Sequence, residues 1–206
     1  FCIVWKARGP SRSLGARKVV RAVCEAQARG AHEVVLTGIN LGNYRDTTDA
    51  TSPAPDLAHL LAMLLERTDV ARLRISSIEP PDVTDELLDV MATSHGRVAP
   101  FLHVCLQSGC DDTLRRMGRV YDTGLFRRVV GHARDRMPDI ALGTDLIVGF
   151  PRETDADFAQ SMDFVGEMAF SRVNGPPGTA CMTKNVTVMT AQRVTTAKMI
   201  LLMMYR

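Results

Sequence analysis

Short apolar or β-branched runs alternate with amphipathic helical segments along most of this chain, and that alternation constrains the fold more than any other feature. Val19, Val20, Val23 and Ala26 recur at helical spacing, Gly30 is placed to end that helix, and Glu33-Val-Val-Leu-Thr37 follows as a strand. Residues 43–55 are polar and read as a loop, after which Leu57, Leu60, Leu61, Leu64 and Leu65 mark a second helix. The pattern then repeats. Strands are expected at 73–77, 101–106 and 140–148, helices opening near Thr84, Leu114 and Leu125, and a capping-box sequence at Thr154-Asp-Ala-Asp157 introduces one more helix. Strands separated by helices of ten or more residues form β/α units with a parallel sheet. The expected class is therefore α/β. A barrel and a doubly wound sheet both satisfy the pattern, and both place chemistry at the carboxyl ends of the strands.

Size and charge narrow what such a domain can do. A chain of 206 residues, 46% hydrophobic and 23% charged, can bury a core of its own. No apolar run reaches the roughly 18 residues of a membrane helix, and no signal peptide is visible, so neither a membrane partner nor secretion is expected. The chain opens at Phe1 rather than Met, which reads as a partial segment. A formal net charge of +2 argues against a dedicated nucleic-acid module, and no DNA partner is expected. Lys6, Arg8, Arg12, Arg17, Lys18 and Arg21 nevertheless all precede the first acid, Glu25. They form either a solvated helix face with a basic loop or a patch for phosphates or a carboxylate. Cys2, Cys24, Cys105, Cys110 and Cys181 are too scattered for a disulfide scaffold, which points to cytoplasmic thiols. No Cys-x-x-Cys or His-x-x-x-His occurs, so a self-contained zinc site is not expected. The Met- and Thr-rich tail beyond Asn174-Gly-Pro-Pro-Gly178 reads as loosely helical or unordered.

Polar groups gather where the expected strands end: Thr37-Gly38-Ile39-Asn40, Ser76-Ser77-Ile78-Glu79-Pro80, Gln107-Ser108-Gly109 and Thr144-Asp145. Gly38 and Asn40 suit either a plain turn or an edge that a ligand approaches closely. Glu79 precedes two prolines, as a surface-turn residue or as a carboxylate accepting from a ligand hydroxyl or ammonium. Gln107 and Ser108 offer neutral donors and acceptors to a loop or to a nucleoside. Arg119, near Arg115 and Arg116, is a surface cation or a bidentate clamp for a carboxylate. Thr144 and Asp145 interrupt an apolar strand and so require polar partners, with function favoured over packing. His103 reads as a satisfied core histidine, and Cys105 and Cys110 as packing or loop residues rather than metal ligands.

Taken in order, these motifs resemble the radical S-adenosylmethionine (SAM) methylthiotransferases, and within them the branch modifying N6-threonylcarbamoyladenosine in tRNA. Phe1-Cys2-Ile3-Val4 with Arg8-Gly9-Pro10-Ser11-Arg12-Ser13 resembles the end of that family's cluster loop. Leu36-Thr-Gly-Ile-Asn-Leu-Gly42 is more similar to the threonylcarbamoyl branch than to the isopentenyladenosine one. Ser76-Ser-Ile-Glu-Pro80, Leu106-Gln-Ser-Gly-Cys-Asp111, Met117-Gly-Arg-Val-Tyr121 and Thr144-Asp-Leu-Ile-Val-Gly-Phe-Pro151 continue the resemblance, which covers residues 1–172.

The resemblance implies a partial (β/α)6 radical SAM barrel over residues 1–173, its first strand absent and its sixth missing or disrupted, followed by a divergent tail over 174–206. It implies a 4Fe-4S cluster held by three loop cysteines, Cys2 being the third, and a second cluster on a separate N-terminal domain of the intact parent. Thiolates suit such clusters as soft anionic ligands. It implies SAM at Gly38, Asn40, Glu79, Gln107, Ser108, Arg119, Thr144 and Asp145, with no residue marked as catalytic. With an electron from an external donor, the cluster cleaves SAM to a 5′-deoxyadenosyl radical that takes hydrogen from C2 of the tRNA adenine. A second SAM supplies the methyl group. The chain departs from the family at Trp5, where proline is usual, and at Arg152, where glycine is usual. With only one cluster cysteine, the chain alone is expected to be inactive. The alternatives are a noncatalytic remnant of the family, or a methylthiotransferase for another tRNA adenosine or for a ribosomal protein.

Overall fold

Most helices begin at a residue whose side chain accepts a hydrogen bond from an otherwise unpaired backbone N–H, and the sequence supplies these caps locally. The computed structural model describes residues 10–48 and 54–175, and the backbone of 197–201. Helix α1 (Ala16–Ala28) is followed by strand β1 (Glu33–Thr37), helix α2 (Leu57–Arg67), strand β2 (Arg72–Ile75) and helix α3 (Asp85–Thr93). Asp56 caps α2 by accepting from His59 N–H, and Thr84 caps α3 by accepting from Leu87 N–H. Strand β3 (Phe101–His103), helix α4 (Asp111–Arg116), helix α5 (Thr123–Arg136), strand β4 (Ala141–Asp145), helix α6 (Asp155–Met168) and strand β5 (Arg172–Asn174) complete the β/α series, and β6 (Ala197–Leu201) is the last described element. Thr154 and Asp157 form the reciprocal capping box that their spacing predicts.

The chain divides into two units. One holds β1 and β2 with α1, α2 and α3, together with β6. Its sheet is parallel in the order β2-β1-β6, with Val34 in register with Leu73 and Lys198. Val34, Leu36, Leu73 and Ile75 from the strands are buried with Val19 and Val23 of α1, Leu60, Leu61 and Leu64 of α2, and Leu87 and Leu88 of α3. The other unit comprises Glu79–Pro81 and the chain from Phe101 to Thr190. Its sheet is also parallel, in the order β3-β4-β5. Phe126 of α5 meets Phe164 and Phe170 edge-on, with ring centres 6.0 and 5.8 Å apart, and this aromatic trio closes α5 and α6 over the sheet.

The expected α/β class with parallel pairing is borne out, while the six-stranded barrel rests on the resemblance. Arg172–Asn174, where the sixth strand is expected to be missing or disrupted, is a three-residue strand bonded to β4, since Ser171 N–H donates to Leu142 O and Leu146 N–H to Asn174 O. The tail reads as loosely helical or unordered, yet residues 197–201 run as a strand along the free edge of β1, satisfying backbone groups that an uncovered edge would leave unpaired.

Two turns show what local sequence does and does not provide. Gly30, at φ +83°, ends α1, with Gly30 N–H bonded to Gln27 O and Ala31 N–H to Ala26 O, the paired closure that a left-handed glycine permits. Arg152, the residue standing where the resemblance calls for glycine, also has a left-handed backbone, at φ +69°. The glycine preference of that position therefore has a conformational cause, and the arginine bears the strain.

The polar stretch after β1 is more tightly held than a free loop. Tyr44 is fully buried and donates its hydroxyl to Leu14 O, and Asp46 Oδ2 accepts from Ala16 N–H at 2.8 Å. Gly15, at the start of α1, has no side chain to cap it, so Asp46 provides the cap from 30 residues away. Burial by itself would raise the Asp46 pKa, but hydrogen bonds from Thr48 and Ala16 and the nearby charge of Arg17 hold it below the usual range. A depressed folded-state pKa means the contribution is complete above the unfolded value, about 3.9, and is lost as pH falls through the folded one. Asp46→Ala is expected to lower stability at pH 7 by about 1–2 kcal/mol and to flatten the acid limb of the profile, as read by denaturant melts from pH 6 to 2.

Candidate functional site

The carboxyl ends of β3 and β4 carry the densest polar cluster of their unit. Asp145, the last residue of β4, is held on both oxygens: Asn174 Nδ2 donates to Oδ1 at 3.0 Å and His103 Nε2 lies 3.1 Å from Oδ2. Its side chain retains 40% exposure, so an oriented carboxylate faces outward from the strand end. The chain after β3 continues beside β4, where Gln107 N–H donates to Asp145 O and Ile147 N–H donates to Gln107 O. Gln107 has φ +67°, a left-handed backbone in a non-glycine residue at the head of the sheet.

Arg119 and Glu79 form the second feature. Arg119 Nη1 donates to Glu79 Oε1 at 2.9 Å, with side chains 20% and 31% exposed, and its guanidinium lies 5.9 Å from the centre of the Tyr121 ring. The Tyr121 hydroxyl donates to the carbonyls of Cys105 and Leu106 at 2.8 and 3.2 Å, pinning the Arg119 loop to the strand end. Burial, with the Glu79 and Asp145 carboxylates adding to it against Arg119, pushes the Cys105 thiol up to about 12. Cys105 is accordingly a neutral thiol at pH 7. Cys110 is buried with its thiol 3.4 Å from Asp157 Oδ1, in keeping with a packing role.

Thr144 and Ser108, two of the expected cofactor contacts, have their hydroxyls engaged within the fold. Thr144 is fully buried; its hydroxyl donates to Val104 O at 2.6 Å and accepts from Leu106 N–H at 3.0 Å. It joins β4 to the chain leaving β3. Ser108 is likewise fully buried, with its Oγ 3.0 Å from Ser161 Oγ and accepting from Cys110 N–H. Neither side chain has surface to offer a ligand, because both solve the strand-end loop's own hydrogen-bonding problem. Gly109 packs so tightly on α6 that an added Cβ would lie 2.8 Å from the Ser161 backbone.

In the other unit, Gly38 and Asn40 follow β1 and are half-buried. Asn40 Oδ1 is buried with no hydrogen-bond partner, an acceptor that a bound donor would satisfy. Cys2 lies outside the described residues. Among the described residues no group of three or more His, Cys, Asp or Glu side chains is placed to hold a metal ion, and no helix is long and apolar enough to cross a membrane.

Glu79, Gln107, Arg119 and Asp145 lie in one unit, where Arg119 is bonded to Glu79 and Gln107 N–H to Asp145 O. The partners that fix them were not singled out as site residues. Asn174 and Tyr121 gave no signal beyond position, whereas His103 was readable as a satisfied core residue, and its partner is Asp145.

Polar side chains presented at the carboxyl edge of parallel strands define the class, an α/β domain with a strand-end site. The model of the radical SAM superfamily matches residues 1–165, and the chain belongs to that superfamily. Among curated relatives it is 39% identical over 175 residues to the threonylcarbamoyladenosine tRNA methylthiotransferase MtaB of Thermotoga maritima, covering 84% of this chain and 39% of the relative. It is 39% identical over 194 residues to the tRNA-2-methylthio-N(6)-dimethylallyladenosine synthase of Frankia casuarinae, covering 91% of this chain and 35% of the relative. The chain thus spans well under half the length of these relatives. Among solved structures it is similar to coproporphyrinogen III oxidase (HemN) from Escherichia coli, described as a radical SAM enzyme. That likeness has a TM-score of 0.50 and 18% identity, over 78% of this chain and 36% of that one, and bears on the fold alone.

Superfamily membership implies SAM and a 4Fe-4S cluster. Within their unit, the opposed charges of Glu79 and Arg119 are chemically suited to SAM, which carries an ammonium, a carboxylate and ribose hydroxyls.

Proposed function

We propose that this chain is the core, residues 1–173, of a radical SAM tRNA methylthiotransferase that acts on C2 of N6-threonylcarbamoyladenosine at position 37, with 174–206 a divergent tail. The observation that carries the reading is the Glu79–Arg119 pair, 2.9 Å apart at the strand end, within motifs that follow the order of the methylthiotransferases. A carboxylate beside a guanidinium complements a zwitterion: Arg119 takes the SAM carboxylate, and Glu79 the ammonium or a ribose hydroxyl. Asp145, fixed by His103 and Asn174, and Gln107 orient the nucleoside end. When bound, SAM and the cluster, ligated in part by Cys2, supply the radical chemistry. An external electron donor and a tRNA substrate are the partners, and the cytoplasm is the proposed location.

The choice of base modification rests on Leu36-Thr-Gly-Ile-Asn-Leu-Gly42 and on the MtaB relatives. The Frankia relative supports dimethylallyladenosine as the second reading.

Equilibrium dialysis against labelled SAM tests the site. Arg119→Ala is expected to raise the Kd at least about tenfold, the worth of one charge-assisted contact. Unchanged affinity would remove Arg119 from the site. Substrate choice is read by extending the chain upstream through a Cys-x-x-x-Cys segment, reconstituting it anaerobically, and offering RNA hairpins with either modified adenosine. Mass spectrometry should find the methylthio group on the threonylcarbamoyl nucleoside. Its appearance on the dimethylallyl nucleoside alone would decide for the second reading.

A further inference from the structure

Arg119 and Tyr121 face two ways: toward the strand-end cluster, and into an adjoining open cavity of about 490 Å³. Arg115, Val120, Leu125 and Arg128 complete its usable lining. Three arginines therefore line one concavity. Two carboxylates also border it, each bonded to a backbone N–H and still charged, so the lining carries three cations against two anions. Asp122 accepts from Leu125 N–H at 2.7 Å as the cap of α5, and Asp111 accepts from Thr123 N–H at 2.8 Å. Arg115 is bonded to Asp112 through one terminal nitrogen, and Arg119 to Glu79. A guanidinium carries five N–H donors, so the Asp112 contact leaves Arg115 able to bind an anion. Arg128 is exposed. Val120 is 88% exposed and lies on the cavity wall.

We propose that this cavity seats a nucleotide of an RNA strand, its phosphate on Arg128 and Arg115 and its base against Val120. Arginine planes and small apolar surfaces are what unstacked RNA bases and phosphates recognise. The inference rests on reading the substrate as RNA, and it adds a second point of attachment beside the strand-end site. A strand held there would bring a neighbouring nucleotide to the Glu79–Arg119 edge, because Arg119 borders both.

The test uses the 206-residue chain and a fluorescein-labelled RNA hairpin, followed by anisotropy over a range of salt concentrations. Arg128→Glu should weaken binding about tenfold and reduce the slope of log K against log salt by about 1. Val120→Ser, which removes apolar contact but no charge, should weaken binding about threefold at every salt concentration with the slope unchanged. SAM affinity measured by dialysis should be the same in both variants. If the chain binds the hairpin and neither variant alters that binding, the cavity is not the RNA site, and the proposed function stands. If the chain binds SAM but not the hairpin, this inference fails together with the RNA-substrate reading. Displacement of the hairpin by free AMP at equal concentration would assign the cavity to a small nucleotide and overturn the RNA proposal.

Discussion

Thr144→Val is expected to destabilise the chain by about 2–5 kcal/mol, since it strips two buried backbone groups of their partner. The Thr144 hydroxyl donates to Val104 O and accepts from Leu106 N–H inside a fully buried site. Valine keeps the shape and the β-branch but makes neither bond. Thr144→Ser retains the hydroxyl and should cost only about 1 kcal/mol, for the missing methyl. Urea melts of the three proteins measure the difference. The pair also separates structure from cofactor binding, because SAM affinity per folded Thr144→Val molecule should match wild type. A stable Thr144→Val protein that no longer binds SAM would return Thr144 to the cofactor site.

Gly42→Ala should cost about 3 kcal/mol or more through overpacking, which for a chain of this size is a fall of roughly 6–12 °C in Tm. An ideal Cβ at Gly42 would stand 2.1 Å from both Cβ and Cγ of Asp82. A flexible side-chain tip could swing away from such an intrusion, but the Asp82 Cβ is fixed to the backbone of the turn Pro80–Asp82. Asp82→Gly combined with Gly42→Ala should therefore recover most of the loss, whereas Asp82→Ala, which keeps the offending atom, should not. A Gly42→Ala protein melting within about 2 °C of wild type would show that the two segments are not packed this closely.

The helices and strands were legible because their signals are local. The leucines at 57, 60, 61 and 64 lie on the buried face of α2, and Thr84 and Thr154 cap the helices they precede. The order of polar motifs at strand ends was legible for the same reason, and it was enough to establish the resemblance to radical SAM enzymes. What each polar residue bonds to was not. Thr144 and Asp145 are neighbours with identical prospects in the sequence, yet one is sealed inside the sheet and the other faces out at its end. Adjacent strand residues point to opposite sides, and only the pairing of β3, β4 and β5 decides which side is closed.

Residue order alone determined the parallel β/α class, the positions of the caps and the set of groups available at the strand ends. Tertiary structure alone decided that Arg119 meets Glu79 across 40 residues, that Asp46 caps α1 from a distant loop, and that Ser108 is spent on Ser161. The physical reason is the range of the forces involved. Helix periodicity and capping act within a turn or two of chain, whereas a hydrogen bond between distant side chains exists only once the backbone has brought their atoms within about 3 Å.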